Sequence, residues 1–214
     1  MARGKFISIE GTEGAGKSTA LKFIREYLEE KMNLTIVWTR EPGGTEIAEK
    51  IRTLLLHPGS TEPMTADTEL LLMFAGRAQH IQNRILPELN AGRWVVTDRF
   101  IDAGYAYQAG GRGIDIRHVE MLDKWIVGAN YPELTILLDI APELGFARAA
   151  KRGTNHDRIE LEKMDFFGRV RDTYLQRAKQ DPQRIKMIDA SLTIPEVENQ
   201  IRFVLDEFMK RQHA

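Results

Sequence analysis

The chain has 214 residues, of which 30 are basic and 31 acidic, so its net charge of -1 provides no bulk positive field for nucleic acid or an anionic membrane. It has no cysteine, which excludes disulfides, thiolate metal sites and thiol chemistry. The N-terminal apolar stretch is too short for a signal peptide, and the longest apolar run, residues 70–75, is far shorter than the ~20 residues that cross a bilayer. We therefore expect a cytoplasmic protein.

Short apolar runs and amphipathic helical patterns alternate along the chain. Strands are predicted at residues 6–9, 34–39, 94–97, 134–140 and 184–189. Helices are predicted after the first glycine loop, at 45–56, 66–89, 116–127, 143–151 and 161–179, and from Pro195 onward. Residues 57–60 and 110–113, which are rich in glycine or proline, are predicted loops. The pattern predicts an α/β fold in one domain, residues 1–214, with a five-stranded, mostly parallel sheet and helices on both faces.

A glycine-rich loop follows the first strand and precedes a helix. Its pattern of Gly, four residues, then Gly-Lys-Ser is typical of phosphate-binding loops, in which backbone N–H groups and a helix N-terminus surround phosphate oxygens. The predicted ATP-binding residues are Gly11, Thr12, Glu13, Gly14, Ala15, Gly16, Lys17, Ser18 and Thr19. We expect Lys17 to reach the transferred phosphate and Ser18 to ligate magnesium. GTPases, motor ATPases and small-molecule kinases share this loop, although the absence of an Asn-Lys-x-Asp motif weighs against a GTPase.

Asp98 and Arg99 end the predicted strand 94–97, at the sheet edge where ligands bind in open parallel sheets. The carboxylate of Asp98 can orient magnesium or accept the proton of the phosphoryl acceptor, and Arg99 can bind a phosphate through two hydrogen bonds. The alternative is a surface ion pair that closes the strand.

Two further segments are candidates for the acceptor side. Residues 39–45 follow the second strand and contain two adjacent glycines, which suit either close approach to a ligand or a plain turn. Met73, Phe74 and Arg77 lie together on a predicted helix, where an apolar surface and a guanidinium could bind a base. The alternative is a buried apolar stripe with an arginine that reaches solvent.

Arg148 and Arg152 lie four residues apart on a predicted helix, with a glycine-containing segment following them. This spacing predicts a cationic lid at about residues 145–160 that closes over a transferring phosphoryl group and neutralises its charge. A solvated, charged helix face is the alternative.

These motifs together resemble the bacterial thymidylate kinases over essentially the whole chain. The matching landmarks are Ile9-Glu10-Gly11 with the phosphate loop, residues 39–45, Phe74-Ala75-Gly76-Arg77, Asp98-Arg99-Phe100, Ala106-Tyr107-Gln108 and Asp157-Arg158-Ile159-Glu160. The resemblance implies a P-loop nucleoside monophosphate kinase fold with a mobile lid, usually in a homodimer. It also implies the transfer of a phosphate from ATP to dTMP with Mg²⁺, which yields dTDP for dTTP synthesis and DNA replication.

The resemblance also implies roles for individual residues. Glu13 matches an acid near the sugar 3′-hydroxyl, and Glu41 and Arg52 match acceptor-site positions, with Arg52 at the dTMP phosphate. Arg77 and Gln108 match groups that face the thymine.

Tyr107 matches an aromatic side chain against the sugar that disfavours a 2′-hydroxyl, and the pair Asp98 and Arg99 matches groups that organise phosphate and metal. Because the phosphate loop has no basic residue before Lys17, the resemblance assigns the catalytic arginine to the lid, at Arg152 with Arg148 beside it.

Two positions depart from the family pattern. The place of the stacking phenylalanine holds Met73, with Phe74 next to it, so either side chain could cover the base. Ala103-Gly104 replaces the usual hydroxyl or amide residues, and Gly104 is retained as an acceptor-site position. A kinase for another pyrimidine nucleotide or a deoxynucleoside, and a nucleotide-dependent switch or motor, are the rival functions.

Overall fold

The structure is a computed structural model that describes residues 3–58, 61–150 and 157–212. Five strands form one sheet: β1 (Phe6–Gly11), β2 (Ile36–Arg40), β3 (Trp94–Asp98), β4 (Leu134–Asp139) and β5 (Ile185–Asp189). Their order is β2-β3-β1-β4-β5, and every adjacent pair is parallel. The predicted parallel sheet is confirmed, and β1 with its glycine loop lies at its centre.

The helices of the described residues are α1 (Lys17–Arg25), α2 (Glu46–Leu56), α3 (Ala66–His80), α4 (Leu86–Asn90), α5 (Ile101–Gly104), α6 (Ile116–Leu122), α7 (Pro142–Ala150), α8 (Met164–Gln180) and α9 (Ile194–Gln212). Wider, π-helical turns extend four of them, at Glu26–Lys31, Ile81–Ile85, Tyr105–Gly111 and Asp123–Val127. No helix of the described residues is long and apolar enough to span a membrane.

Apolar side chains cover both faces of the sheet. On one face, Ile7 and Ile9 of β1 pack with residues of α1 and α9. On the other face, Phe6 and Val95 pack with α3, α5 and α6, while Leu137 packs with α8. Because successive strand residues point to opposite faces, a sheet buried on both sides needs nearly continuous apolar strands.

The predicted helix at 66–89 is helical throughout but not regular. It widens at Ile81–Ile85, immediately before Pro87, which lacks the N–H that a regular helix would use. The start and end of the other predicted elements differ from the observed ones by a few residues, which is typical of element ends.

The prediction of a loop at 110–113 was wrong for its first two residues. Gly110 and Gly111 belong to the helical segment Tyr105–Gly111, which lies against α8. A Cβ at Gly110 would come within 2.2 Å of Thr173 Oγ1, and one at Gly111 within 2.5 Å of the Phe166 ring. These glycines therefore permit close helix packing rather than a turn. In the other predicted loop, 57–60, the last two residues lie outside the described chain.

Candidate active site

The glycine loop between β1 and α1 has the backbone that a phosphate cradle needs. Gly11, Gly14 and Gly16 have φ values of 145°, 73° and 89°, which glycine adopts far more readily than other residues. Gly16 caps α1, and its first turn, which includes Ser18 and Thr19, has no acidic residue to oppose an anion. Ala15 is buried, so the loop packs on the sheet. The sequence thus dictates this local geometry.

Lys17 lies over the loop that precedes it. Its Nζ donates hydrogen bonds to the carbonyls of Gly11, at 3.0 Å, and Thr12, at 3.2 Å. Burial, together with the positive charge of Arg99, lowers the pKa of Lys17 to about 8, although nearby carboxylates oppose the shift. The negative charge of an incoming phosphate would offset the cost of keeping this amine charged and raise its pKa again.

Asp98 and Arg99 come to the same place from β3, the strand beside β1. Arg99 has a φ of 69°, and its backbone N–H donates to Ile9 O at 2.9 Å. Its guanidinium donates to Gly11 O at 3.0 Å and to Glu13 Oε1 at 2.8 Å. Left-handed backbone is costly for a residue with a Cβ, so these contacts hold the turn in place.

A buried carboxylate that the sequence analysis did not single out supports this turn. Glu10 Oε1 accepts the Phe100 N–H at 2.8 Å, and Glu10 Oε2 accepts the Tyr174 hydroxyl at 2.7 Å. Burial and the nearby Asp102 raise the pKa of Glu10 to about 7. In the sequence, Glu10 is part of the landmark Ile9-Glu10-Gly11 and an acidic residue in a mostly apolar strand, but neither signal indicates these partners.

The side chain of Glu13 pairs with residues outside the glycine loop. Its carboxylate accepts hydrogen bonds from Arg99 and from the Tyr107 hydroxyl at 2.9 Å. Burial would raise the pKa of Glu13, but Arg99, Lys17 and the Tyr107 hydrogen bond outweigh it and hold the pKa below its ordinary value. The Arg99 guanidinium also lies 4.8 Å from the centre of the Tyr107 ring. Glu13, Arg99 and Tyr107 thus form one cluster beside the loop.

Glu41 and Arg77 form a buried ion pair beyond the end of β2. Glu41 accepts hydrogen bonds from Arg77 Nε at 2.8 Å and from His80 Nδ1 at 2.9 Å. Arg77 Nη2 donates to Phe100 O at 2.9 Å. Burial would raise the pKa of Glu41, but Arg77 and His80 together lower it. His80, which no sequence pattern indicated, completes this network.

One nitrogen of Arg77 has no hydrogen-bond partner in the described part of the chain. This Nη1 is buried, and a Cβ at Gly104 would lie only 3.1 Å from it. The departure from the family pattern at Gly104 therefore leaves room for the guanidinium. Met73 and Phe74 differ in their surroundings: Phe74 belongs to an apolar cluster and lies 4.8 Å from the Arg77 guanidinium, whereas Met73 is 7% exposed.

Arg52 projects from α2 toward the turn after β2. Its Nη1 donates to Pro42 O at 2.8 Å, and burial together with Arg40 lowers its pKa. Glu49, Asp157 and Asp98 oppose this shift, so three carboxylates lie within electrostatic range of Arg52. Gln108 is fully buried, and its Nε2 donates to Glu69 Oε1 at 3.0 Å.

Arg148 binds the turn after β5. Its guanidinium donates to Ala190 O at 2.6 Å and to Ser191 O at 3.0 Å. It lines a cavity of about 390 Å³ that also includes Gly14, Gly16 and Thr19 of the phosphate loop region. Arg152, the other predicted lid arginine, lies outside the described residues, as does the middle of the predicted lid.

The described residues contain no group of three or more histidine and carboxylate side chains that could hold a metal ion. Asp98 Oδ1 and Thr12 Oγ1 are nevertheless buried without a hydrogen-bond partner in the described chain. Mg²⁺ in nucleotide sites usually takes one or two protein oxygens, with phosphates and water completing its coordination. The donor set at Asp98 therefore fits such an ion.

Comparison with known proteins agrees with this geometry. The family model described as thymidylate kinase matches residues 9–201. A thymidylate kinase from Vesicomyosocius okutanii is 54% identical over 205 residues, which cover 96% of this chain and 98% of that protein. A thymidylate kinase from Ectopseudomonas mendocina is 50% identical over 207 residues, or 97% of each chain.

The same relationship is found in three dimensions. The crystal structure of thymidylate kinase from Ehrlichia chaffeensis superimposes with a TM-score of 0.76 at 32% identity, covering 95% of this chain and 99% of that one. The similarity therefore extends over nearly the whole of both chains. The chain therefore belongs to the thymidylate kinase family.

Proposed function

We propose that this protein transfers a phosphate from ATP to dTMP, forming dTDP for dTTP synthesis and DNA replication. The observation that carries the proposal is the buried Arg77 Nη1, an unpartnered donor in the described chain that can bond to a base oxygen. A phosphate cradle alone would suit any nucleotide enzyme, but a guanidinium prepared for a base requires a nucleotide acceptor. Thymidylate kinases use ATP as the phosphoryl donor.

The reaction is a direct, in-line transfer in which positioning and electrostatics do the catalysis. Lys17 neutralises charge on the transferred phosphate, and residues 11–19 hold the donor phosphates. Arg99 and Arg52 bind the acceptor phosphate, and Asp98 orients the reacting groups. Arg152, in the lid at about residues 145–160, neutralises the charge that develops on the phosphoryl group during its transfer.

We assign the cavity of about 390 Å³ beside the loop to the donor nucleoside. Arg148 lines this cavity, where its bonds to Ala190 and Ser191 favour a role in donor binding. Mg²⁺, when bound, neutralises the donor phosphates, and Ser18 and Asp98 would hold it. Both proposed substrates are cytoplasmic metabolites, so we propose a cytoplasmic location.

On the acceptor side, Arg77 and Gln108 bond to the edge of the thymine, with Glu41 and Gly104 shaping the space around Arg77. Met73 is the better candidate to cover the base, because Phe74 packs into the core. Glu13 and Tyr107 bond to each other and border the sugar, where the buried Tyr107 ring leaves no room for a 2′-hydroxyl.

A panel of acceptors tests this function. With ATP and Mg²⁺, we expect dTMP to be phosphorylated with a higher kcat/KM than dUMP, dCMP or UMP, and thymidine not at all. UMP should be poor because of Tyr107, and thymidine because Arg52 and Arg99 would find no phosphate. Product formation is followed by separating dTDP from dTMP. Hydrolysis of ATP without formation of dTDP would contradict the proposal.

We also propose that the chain functions as one domain that pairs into a homodimer. Helices α2 and α3 pack together, and α3 also packs against Asp123–Val127. Large apolar side chains exposed on these elements are Ile47, Leu54, Leu71 and Trp125, and Met121 is exposed on α6, which adjoins Asp123–Val127. Several large apolar side chains exposed on helices that pack together favour an oligomer interface there. A second copy of the chain is the occupant that we propose.

Light scattering after gel filtration should therefore give twice the chain mass of 24.4 kDa. Trp125→Glu should yield a monomer, because Trp125 is 77% exposed and a buried charge at the interface would be unpaired. Phe203→Glu is the matched control, since Phe203 is 68% exposed but lies on α9, which packs on the other face of the sheet. A dimer that survives Trp125→Glu, or a monomeric unmodified protein, would refute this arrangement.

A further inference from the structure

The side-chain amide of Gln108 has one hydrogen-bonded atom and one atom without a hydrogen-bond partner in the described residues. Its side chain is fully buried, and its Nε2 donates to Glu69 Oε1 at 3.0 Å. Its Oε1 is buried without a hydrogen-bond partner in the described residues. A buried polar atom of this kind is costly unless a ligand completes it, so Gln108 offers a hydrogen-bond acceptor.

Glu69 determines the orientation of the Gln108 side-chain amide. Glu69 is 1% exposed, and its carboxylate accepts hydrogen bonds from Arg112 Nε at 3.0 Å and Arg158 Nη2 at 2.6 Å. Burial would raise the pKa of Glu69, but Arg112, Gln108 and Arg158 hold it below its ordinary value. An ionised carboxylate can only accept hydrogen bonds. The amide nitrogen of Gln108 must therefore face Glu69, and its oxygen must face away.

The same helices carry the unpartnered Arg77 Nη1. Glu69, Met73 and Arg77 recur every four residues along one side of α3. On the facing helical segment, Gly104 lies at the Arg77 end and Gln108, four residues later, lies at the Glu69 end. Among the described residues, the two facing helical segments thus carry one unpartnered buried donor, Arg77 Nη1, and one unpartnered buried acceptor, Gln108 Oε1.

We infer that Glu69 is a positioning residue for base selection, because it fixes the Gln108 amide with its oxygen toward the base of the acceptor. Thymine and uracil present an acceptor, O4, next to a donor, N3–H, which complements Arg77 Nη1 and Gln108 Oε1. Cytosine presents an amino donor next to the N3 acceptor, which is the reverse pattern. This inference rests on the proposed dTMP kinase function.

Glu69→Gln tests the inference with an isosteric change. Arg112 Nε donates to both carboxylate oxygens, at 3.1 Å to Oε1 and 3.0 Å to Oε2, but Oε2 also accepts the 2.6 Å bond from Arg158. We therefore expect the new side-chain oxygen at the position of Oε2, with the NH₂ at the position of Oε1, where it faces Gln108. The Gln108 amide then rotates, and its NH₂ opposes the N3–H of thymine. We expect the ratio of kcat/KM for dTMP to that for dCMP to fall at least about tenfold, because unmatched polar groups in a binding site are strongly rejected.

Two controls separate base selection from a general loss of structure. dUMP has the same base edge as dTMP, so the ratio of kcat/KM for these two substrates should stay unchanged in Glu69→Gln. Glu162→Gln is the matched variant, because Glu162 pairs with Arg112 Nη1 at the other end of the same network. We expect Glu162→Gln to leave the dTMP to dCMP ratio at its original value.

An unchanged dTMP to dCMP ratio in Glu69→Gln, or an equal loss for dTMP, dUMP and dCMP without a change in ratios, would overturn the inference. Should Glu69→Gln fail to fold, Gln108→Met removes the acceptor atom directly, and it must lower the same ratio for the inference to stand. Failure of the unmodified protein to form dTDP would instead contradict the proposed function, and this inference with it.

Discussion

Lys17→Met should reduce the turnover of dTMP by at least about 10²- to 10³-fold, the loss typical when one charge-stabilising donor is removed from an active site. Lys17 Nζ bonds to the carbonyls of Gly11 and Thr12, so its charge is held over the glycine loop before any ligand arrives. Preorganised charge needs no reorganisation during the reaction, which is why its removal acts on the transition state.

The measurement is kcat at saturating ATP and dTMP, with circular dichroism to verify folding. Lys22→Met is the matched control: Lys22 lies on the same helix, but its side chain is 79% exposed and pairs only weakly with Glu26 at 3.9 Å. We expect Lys22→Met to keep the original turnover. A Lys17→Met enzyme with turnover within a few-fold of the original would remove Lys17 from the mechanism.

The lowered pKa of Lys17 also predicts how kcat/KM for ATP depends on pH. Because burial and Arg99 lower the pKa of the free enzyme's Lys17 to about 8, the amine is charged below that pH and neutral above it. We therefore expect kcat/KM for ATP to fall as pH rises through about 8, since this parameter reports ionisations of the free enzyme. In Lys17→Arg, whose side chain stays charged, the fall should disappear. A profile that is identical in the two proteins would contradict the assignment.

Asp102→Ala should lower the free energy of unfolding by about 3–5 kcal/mol, the usual cost of removing one partner from a buried ion pair. The Asp102 side chain is 1% exposed, and it accepts hydrogen bonds from two arginines. These are Arg177, through Nη2 at 2.9 Å, and Arg184, through Nη1 at 2.6 Å and Nη2 at 3.0 Å. The variant would leave both guanidinium groups largely buried without this partner.

Urea denaturation at a fixed protein concentration measures this effect, since the proposed dimer would make apparent stability depend on concentration. Glu46→Ala is the control, because Glu46 is 84% exposed and its ion pair with Lys50 at 2.9 Å lies in solvent. We expect no resolvable change for Glu46→Ala. A loss for Asp102→Ala no larger than that for Glu46→Ala would mean that the network contributes nothing to stability.

Features that depend on local sequence patterns were predicted correctly, whereas features that depend on residues distant in the chain were missed. The strands and most helices were predicted because apolar periodicity is local, and the phosphate loop was predicted because eight consecutive residues carry its pattern. The helical residues Ile101–Gly104 and Tyr105–Gly111 were not predicted, and Gly110 and Gly111 were predicted as a loop because glycines are common in turns. Their helical conformation depends on α8, more than 50 residues later in the chain.

The candidate site likewise contains features that depend on local sequence and features that depend on tertiary packing. The sequence by itself determined the parallel sheet, the glycine loop with Lys17 and the family of the chain, since each depends on local pattern or on the order of motifs. Only the tertiary structure decided that Glu10 supports the turn at Arg99 and that Glu69 orients Gln108. The physical reason is that a buried polar group acquires its role from the partner that satisfies it, and packing brings in these partners from 39 and 90 residues away.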